Sequence, residues 1–333
     1  MLWHIVLVVA SFPLLLGGAV LFTNSVEWLG SRLGLGHGPI GSVLAAVATA
    51  LPESVIPVVA ILAGETSGQI AIGAVIGAPF LLGTLGMAVV GLSAAGFRKR
   101  REQGTDLSLD RAATRRDLTV FLPLMSIALV LGLVCDSAVR ITAAVLFVLC
   151  YAAYAWRTIA RGKGAEQDDD LSRLYFDRGR EEPRTALVWL QTLAGVGLVV
   201  GGAELFVVEI EGLATDLGVP ALALALVLAP LASELPEKLN SVLWVRRDKD
   251  TLALGNITGA MVFQASIPIA VGLAFVDWRL SAPSVAAAGC AIVGAALCLL
   301  VTRRRPPHFS AVPLTVWLAL YLGAVAYVII GTT

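Results

Sequence analysis

Long apolar stretches, separated by short polar connections, follow one another along the whole chain. A stretch of about 20 apolar residues is long enough to cross a bilayer as a helix. The pattern predicts ten membrane-spanning helices, over residues 3–29, 38–63, 69–96, 118–134, 138–157, 185–212, 219–245, 251–276, 283–301 and 310–331. The expected fold class is therefore an all-α polytopic membrane protein.

The chain contains two copies of one pattern. A Gly-Gly-Ala motif ends at Ala19 and again at Ala203, and a Leu-Pro-Glu motif ends at Glu53 and again at Glu237, each time 184 residues later. Internal periodicity of this kind indicates a duplicated structural unit. We assign residues 1–160 to a first five-helix repeat, residues 161–184 to a charged, solvated cytoplasmic linker, and residues 185–333 to a second five-helix repeat.

Each repeat is expected to cross the membrane five times, which is an odd number. The second repeat must therefore enter the membrane from the opposite face, so the two repeats are inverted relative to each other. Inverted repeats of membrane helices are typical of secondary transporters.

Lys and Arg residues are concentrated in one of the two alternating sets of loops. That set contains 21 of the 24 basic residues, whereas the other set contains Arg140 and Arg279, and Lys238 lies inside a predicted helix. Because loops rich in Lys and Arg remain in the cytoplasm, both termini are expected on the other side of the membrane. The expected location is a plasma membrane of the prokaryotic type.

Composition narrows the functional class. Hydrophobic residues make up 57% of the chain and charged residues 14%, and the mean hydropathy is +0.84, unlike a soluble domain. The expected partners are the lipid bilayer and inorganic cations, with no nucleic acid and no obligatory protein partner. A membrane-embedded enzyme would need a catalytic pair such as Ser and His at membrane depth, and no His lies near a candidate Ser. We therefore expect neither an enzyme nor a cofactor.

The two Leu-Pro-Glu motifs carry the candidate chemistry. Proline has no amide hydrogen, so Pro52 and Pro236 should free the carbonyl groups four residues earlier, those of Ala48 and Ala232. We expect the second and seventh helices to break at these prolines. Freed carbonyls need partners inside a bilayer, and each proline is followed directly by a glutamate.

Inversion should bring Glu53 and Glu237 together near the middle of the membrane. Their carboxylates and the freed carbonyls would form an oxygen cage of the kind that Ca²⁺ prefers, and Na⁺ or protons could occupy the same oxygens alternately. We therefore predict that Glu53 and Glu237 are metal ligands, for a transported ion rather than a resident one. The simpler alternative is that each glutamate is protonated and packs beside its kink, but the matched repetition favours the ion site.

The residues around the two glutamates resemble the calcium/cation antiporter superfamily. Its sodium/calcium exchangers carry two α-repeats of the form Gly-Thr-Ser-Leu-Pro-Glu, followed by Gly-Asn-x-x-Gly-Ser-Asn. The corresponding segments here are Ala48-Thr49-Ala50-Leu51-Pro52-Glu53 with Gly73-Ala74-Val75-Ile76-Gly77-Ala78-Pro79, and Ala232-Ser233-Glu234-Leu235-Pro236-Glu237 with Gly255-Asn256-Ile257-Thr258-Gly259-Ala260-Met261. The resemblance extends over nearly the whole chain.

The resemblance implies a secondary active cation antiporter that exports Ca²⁺ in exchange for Na⁺ or H⁺ by alternating access. The alternatives are a proton-coupled exchanger of another cation, of the Na⁺/H⁺ type, and a relative that has lost transport. The counter-ion stays open because the family's Ser and Asn after the glycines are replaced here by side chains that cannot bind ions, those of Ala78, Pro79, Ala260 and Met261.

Four further polar side chains are candidate cation ligands. Thr49 and Ser233 match the hydroxyl position of the motif, one turn before the glutamates, although such hydroxyls also bond readily to helix carbonyls. Asn256 retains the family residue, and Gln264 stands where the family often has Asn or Asp.

Glu234 and Lys238 distinguish the second motif from the first, which has Ala50 and Ser54 at the same positions. Residues four apart on a helix can form an ion pair. In one interpretation Lys238 merely neutralises Glu234 and leaves the pair of Glu53 and Glu237 intact. In the other, the ammonium group sits where a monovalent ion would bind, which removes a Na⁺ site.

Overall fold

The computed structural model describes residues 1–32, 51–64, 67–134, 137–161, 171–303 and 311–330, and these ranges contain helices and no strands. The first half contains α1 (Leu2–Arg32), α2 (Leu51–Leu62), α3 (Gly68–Leu81), a π-helical turn (Leu82–Gly86), α4 (Met87–Gly96), α5 (Arg111–Val134) and α6 (Ser137–Arg161). After a 3₁₀ turn (Tyr175–Asp177), the second half contains α7 (Thr185–Leu217), α8 (Ala221–Arg246), α9 (Asp250–Gln264), α10 (Ile267–Phe275), α11 (Ala282–Arg303) and α12 (Ala311–Ile330).

Apolar helices lie within the predicted segments, and the second segment is described from residue 51 onwards. Within the described ranges, seven helices are long and apolar enough to cross a membrane: Leu2–Arg32, Gly68–Gly96, Arg111–Val134, Val139–Thr158, Thr185–Leu217, Asp250–Phe275 and Ala282–Thr302. Three shorter apolar stretches lie in α2 (Pro52–Leu62), in the first part of α8 (Ala221–Glu234) and in α12 (Thr315–Ile329). The all-α class is confirmed.

The predicted break of the seventh helix at Pro236 is wrong. Helix α8 is continuous from Ala221 to Arg246. A proline removes only one hydrogen bond from the helical ladder, and α8 packs against α3, α4 and α9, so the remaining bonds keep it helical. The corresponding break before Pro52 falls at the edge of the described residues, because α2 begins at Leu51.

The third helix of each copy is the one that departs from α-helical geometry. In the first copy the departure is the π-helical turn Leu82–Gly86, and in the second α9 and α10 are separated by Ala265 and Ser266. In this part of the repeat the offset is 182 residues, as between Gly77 and Gly259, so Thr84 corresponds to Ser266. The Thr84 hydroxyl donates to the Phe80 carbonyl at 2.5 Å, and Ser266 bonds the carbonyl four residues earlier in the same way. Such bonds compete with the helical ladder and bend it.

Helices α1 and α7 occupy equivalent positions in the two copies and pack against each other in antiparallel directions. Leu15 lies against Gly202, Gly18 lies against Gly195, and the Gln191 amide donates to Asn24 at 2.9 Å. Residue numbers therefore rise along one helix as they fall along the other. Antiparallel packing of equivalent helices is what inverted repeats require.

Helices α3 and α8 run in the same direction and approach closely. A Cβ on Gly73 would lie 2.7 Å from the Leu222 carbonyl oxygen, and Gly77 makes the next contact along, against Leu226. Small residues at spacing four allow this approach between membrane helices. The contact fixes α8, which carries one of the two glutamate motifs, against the first copy.

A buried ion pair joins two loops at the end of the molecule where α4 and α8 terminate. The Arg101 guanidinium, which is fully buried, lies 2.6 Å from Asp250 and 3.3 Å from Asp248. The Ser108 amide also donates to Asp250, at 2.9 Å. The connection between α4 and α5 is thereby held against the start of α9.

The described part of the linker is mostly exposed to solvent, and a few of its residues anchor it to α1 and α7. Asn24 and Trp28 of α1 both donate to the Ser172 carbonyl, and the Phe176 amide donates to the Gln191 side chain at 2.9 Å. Leu174 is fully buried. Residues 171–184 therefore cover one end of the groove between α1 and α7.

Candidate functional site

Glu53 lies in the first turn of α2 and is 8% exposed. Ile56 and Ala60, one and two turns further on, are buried on the same helix. Helix α2 packs against α3 and α7, so this face of α2 is directed into the bundle. The sequence therefore places a carboxylate inside an otherwise apolar interior, where such a group is costly unless it has a function.

Glu234 and Lys238 form the ion pair that their spacing predicted. The Lys238 ammonium donates to the Glu234 carboxylate, with Nζ and Oε2 2.9 Å apart. Glu234 is 3% exposed and Lys238 is 9% exposed. The pair lies on α8 and spans the turn of helix that contains the second Leu-Pro-Glu motif.

Gln264 joins this pair from a different helix. It is the last residue of α9 before the interruption, and its amide nitrogen lies 3.4 Å from Glu234 Oε1, as a long hydrogen bond. Its own oxygen, Oε1, is buried and accepts no hydrogen bond from the residues that the structure describes. Gln264 therefore presents a buried amide oxygen beside a buried carboxylate.

Three further predicted cation ligands, Ser233, Ala232 and Asn256, lie on α8 and α9. Ser233 is buried, and its hydroxyl donates to the Ala229 carbonyl at 3.2 Å, which is the helix back-bond expected as its alternative role. Ala232 is fully buried. Asn256 is half-buried on α9.

Some predicted ligands lie outside the described residues. These are Thr49 and Ala48, which precede α2, and the side chain of Glu237, whose backbone belongs to α8. Among the side chains that the structure does describe, no group of three or more His, Cys, Asp or Glu could hold a metal ion. The convergence of Glu53 and Glu237 stays a prediction.

Asp117 is a buried carboxylate that the sequence analysis missed. It accepts hydrogen bonds from Thr258 at 2.8 Å, from Tyr154 at 2.9 Å and from Arg116 at 3.1 Å. Thr258 lies in the segment Gly255–Gly259, which matches the family pattern. Its hydroxyl donates to Asp117 on α5. The signal in the sequence was an acidic residue at the start of an apolar segment, which is usually a solvated helix end.

A cavity of about 240 Å³ lies between α1 and α8 and reaches the motif helix. The α8 residues that line it are Ser233 and Asn240, two turns apart, and Asn24 and Glu27 line it from α1. Ser172 and Tyr175 of the linker segment complete it. A second cavity, of about 570 Å³, borders Gln69 of α3 and Asp277 after α10.

These features define a class of protein: a helical membrane protein with charged side chains inside its bundle and a cavity that reaches one of the motif helices at Ser233. The family described as sodium/calcium exchanger protein matches residues 3–160 and 187–330. The chain belongs to this family, whose members are transporters and not enzymes. The recognition of a calcium/cation antiporter superfamily from the sequence is confirmed.

The chain is similar to a putative antiporter, CaxA, of Alkalimonas amylolytica, with 26% identity over 189 residues. That match covers 55% of this chain and 58% of the relative, so it spans a little over half of the curated protein.

Solved structures show the same fold at low identity. The H⁺/Ca²⁺ exchanger CAX gives a TM-score of 0.66 at 18% identity, over 99% of this chain and 90% of that chain. YfkE gives 0.72 at 14% identity, over 99% and 92%. The sodium-calcium exchanger NCX_Mj gives 0.59 at 21% identity, over 97% of both chains.

Proposed function

We propose that this protein is a secondary active antiporter that exports Ca²⁺ in exchange for Na⁺ or H⁺, by alternating access to a site near the middle of the membrane. The observation that carries the proposal is the burial of an acidic side chain on each motif helix, Glu53 on α2 and Glu234 on α8. Ionisable groups at membrane depth generally mark ion pathways.

The proposed ligands are all oxygens. Glu53 and Glu237 bind the divalent ion, and the carbonyl groups of Ala48 and Ala232 add neutral oxygens to it. Four side chains extend the cage, those of Thr49, Ser233, Asn256 and Gln264. Ca²⁺ accepts six to eight such ligands in flexible geometry, and two carboxylates neutralise its charge.

The proposal includes ten crossings arranged as two inverted five-helix repeats. It is supported by the antiparallel packing of α1 on α7 through equivalent glycine motifs. The relatives are named as exchangers of Ca²⁺ with H⁺ in one case and with Na⁺ in another, which supports Ca²⁺ as the common ion.

The cavity beside Ser233 supports an access path to the site. It is lined by polar groups of α1, α8 and the linker segment, and the linker belongs to the loop set that is rich in Lys and Arg. Because such loops remain in the cytoplasm, we take this cavity as the cytoplasmic entrance, with both termini on the other side.

The test is Ca²⁺ uptake into proteoliposomes under separately imposed Na⁺ and pH gradients. The purified protein should accelerate uptake under at least one of them, and Glu53→Gln should abolish that acceleration. Glu102→Gln, which neutralises an exposed glutamate in a loop, is the control and should transport normally. Uptake driven by neither gradient, or uptake unchanged in Glu53→Gln, would overturn the proposal.

A further inference from the structure

Lys238 places a positively charged side chain among the candidate cation ligands. Its ammonium lies 2.9 Å from a carboxylate oxygen of Glu234, and both side chains are buried. The same carboxylate is approached by the Gln264 amide, whose oxygen is buried and accepts no hydrogen bond from the described residues. A carboxylate with a neighbouring amide oxygen is a ligand set that suits a small cation.

The lysine side chain runs beside the π-helical turn of the first half. A Cβ on Gly86, at the end of the π-helical turn, would lie 3.4 Å from Lys238 Cε. The aliphatic part of the lysine therefore runs from α8 towards this turn, and Glu234 holds its ammonium end.

The ion pair is confined to the second copy. The equivalent positions in the first copy are Ala50 and Ser54, so the acid and the base are both present in one repeat and both missing from the other. A buried ion pair is a poor device for stability, because desolvation offsets most of the attraction between its charges. Its presence beside the transport motif therefore indicates a role in ion selection.

We propose that Lys238 is a specificity-determining residue whose ammonium occupies the monovalent-cation position at the Glu234 carboxylate, which the Gln264 amide also contacts. A Na⁺ ion cannot share this position, because like charges at such a distance repel strongly in a poorly solvated interior. The inference rests on the proposed function and narrows it: Ca²⁺ transport proceeds without Na⁺, which leaves H⁺ as the counter-ion.

The experiment measures Ca²⁺ uptake into proteoliposomes with Na⁺ or choline as the monovalent ion, in the wild type and in lysine variants. Wild-type uptake should be the same with either ion, and so should that of Lys238→Arg, which keeps the charge. Lys249→Met removes an exposed lysine after α8 and should also behave as the wild type.

Lys238→Met should make uptake sensitive to Na⁺. We expect Na⁺ to inhibit or drive uptake by half at a concentration roughly tenfold or more below the highest concentration that leaves the wild type unaffected, a factor that corresponds to about 1.4 kcal/mol. The double variant Glu234→Gln/Lys238→Met lacks the carboxylate as well and should be indifferent to Na⁺. If Lys238→Met does not fold, Lys238→Gln, whose amide still donates to Glu234, takes its place with the same expectation.

Two results would overturn the inference while leaving the proposed function intact. One is wild-type Ca²⁺ uptake that an imposed Na⁺ gradient drives. The other is a folded Lys238→Met or Lys238→Gln protein that transports Ca²⁺ and remains indifferent to Na⁺. Absence of Ca²⁺ uptake from the wild type under every gradient contradicts the proposed function itself, and this inference with it.

Discussion

Gly18 of α1 and Gly195 of α7 are in backbone contact: a Cβ on Gly18 would lie 2.8 Å from the Gly195 carbonyl oxygen. A Cβ on Gly17, the preceding residue, would have no other atom within 4 Å. One glycine of the repeated Gly-Gly-Ala motif is therefore required by packing between the equivalent helices, and the other is not.

Gly18→Ala should destabilise the protein by about 1–3 kcal/mol, the usual cost of forcing a methyl group into a packed interface. Gly17→Ala should be neutral or slightly stabilising, because alanine is the better helix former. Thermal unfolding in detergent measures both. Equal melting temperatures for the two variants would contradict the packing of α1 on α7 described above.

Arg101 should be essential for the stability of the end at which α4 and α8 terminate. Arg101→Met leaves Asp250 buried without the partner that now lies 2.6 Å away, and breaking a buried pair in this way costs about 3–5 kcal/mol. The matched control is Arg100→Met, since Arg100 is exposed in the same loop. The two variants are compared by thermal unfolding, and a similar loss in both would show that the buried pair contributes nothing.

The Asp117 cluster should behave as a structural network. Tyr154→Phe and Thr258→Val each remove one hydrogen bond to the Asp117 carboxylate and should each cost about 1.5–3 kcal/mol of unfolding free energy, because the acceptor is a charged group. Tyr151→Phe is the control, because the Tyr151 ring packs against Phe263 and its hydroxyl makes no hydrogen bond within the described residues. Ca²⁺ affinity should be unchanged in all three, and a large fall in affinity with Thr258→Val would instead place Thr258 at the cation site.

The hydrophobic pattern was sufficient to find the helices because lipid-facing and buried positions are both apolar in a membrane bundle. It placed helix ends less well: α5 begins at Arg111 rather than at residue 118, because its first turns are polar yet helical. The sequence analysis also placed the helix breaks at Pro52 and Pro236. The departures at Thr84 and Ser266 depend on side-chain bonds to helix carbonyls and on neighbouring helices, which periodicity does not report.

The candidate site was partly predictable for a similar reason. The pairing of Glu234 with Lys238 follows from helical spacing alone and is confirmed. The contact of Gln264 with Glu234 joins positions 30 residues apart, so its geometry depends on how α9 packs on α8. The burial of Asp117 likewise depends on α6 and α9, which supply Tyr154 and Thr258, and no local pattern contains that information.

The central claim is that acidic side chains from both copies share one cation, and equilibrium Ca²⁺ binding to the purified protein tests it most directly. Titration calorimetry should show that Glu53→Gln and Glu237→Gln each weaken Ca²⁺ binding by roughly 10–100-fold, as expected for loss of one charged ligand. Glu102→Gln should bind as the wild type does. Wild-type affinity in either Glu53→Gln or Glu237→Gln would contradict a shared site.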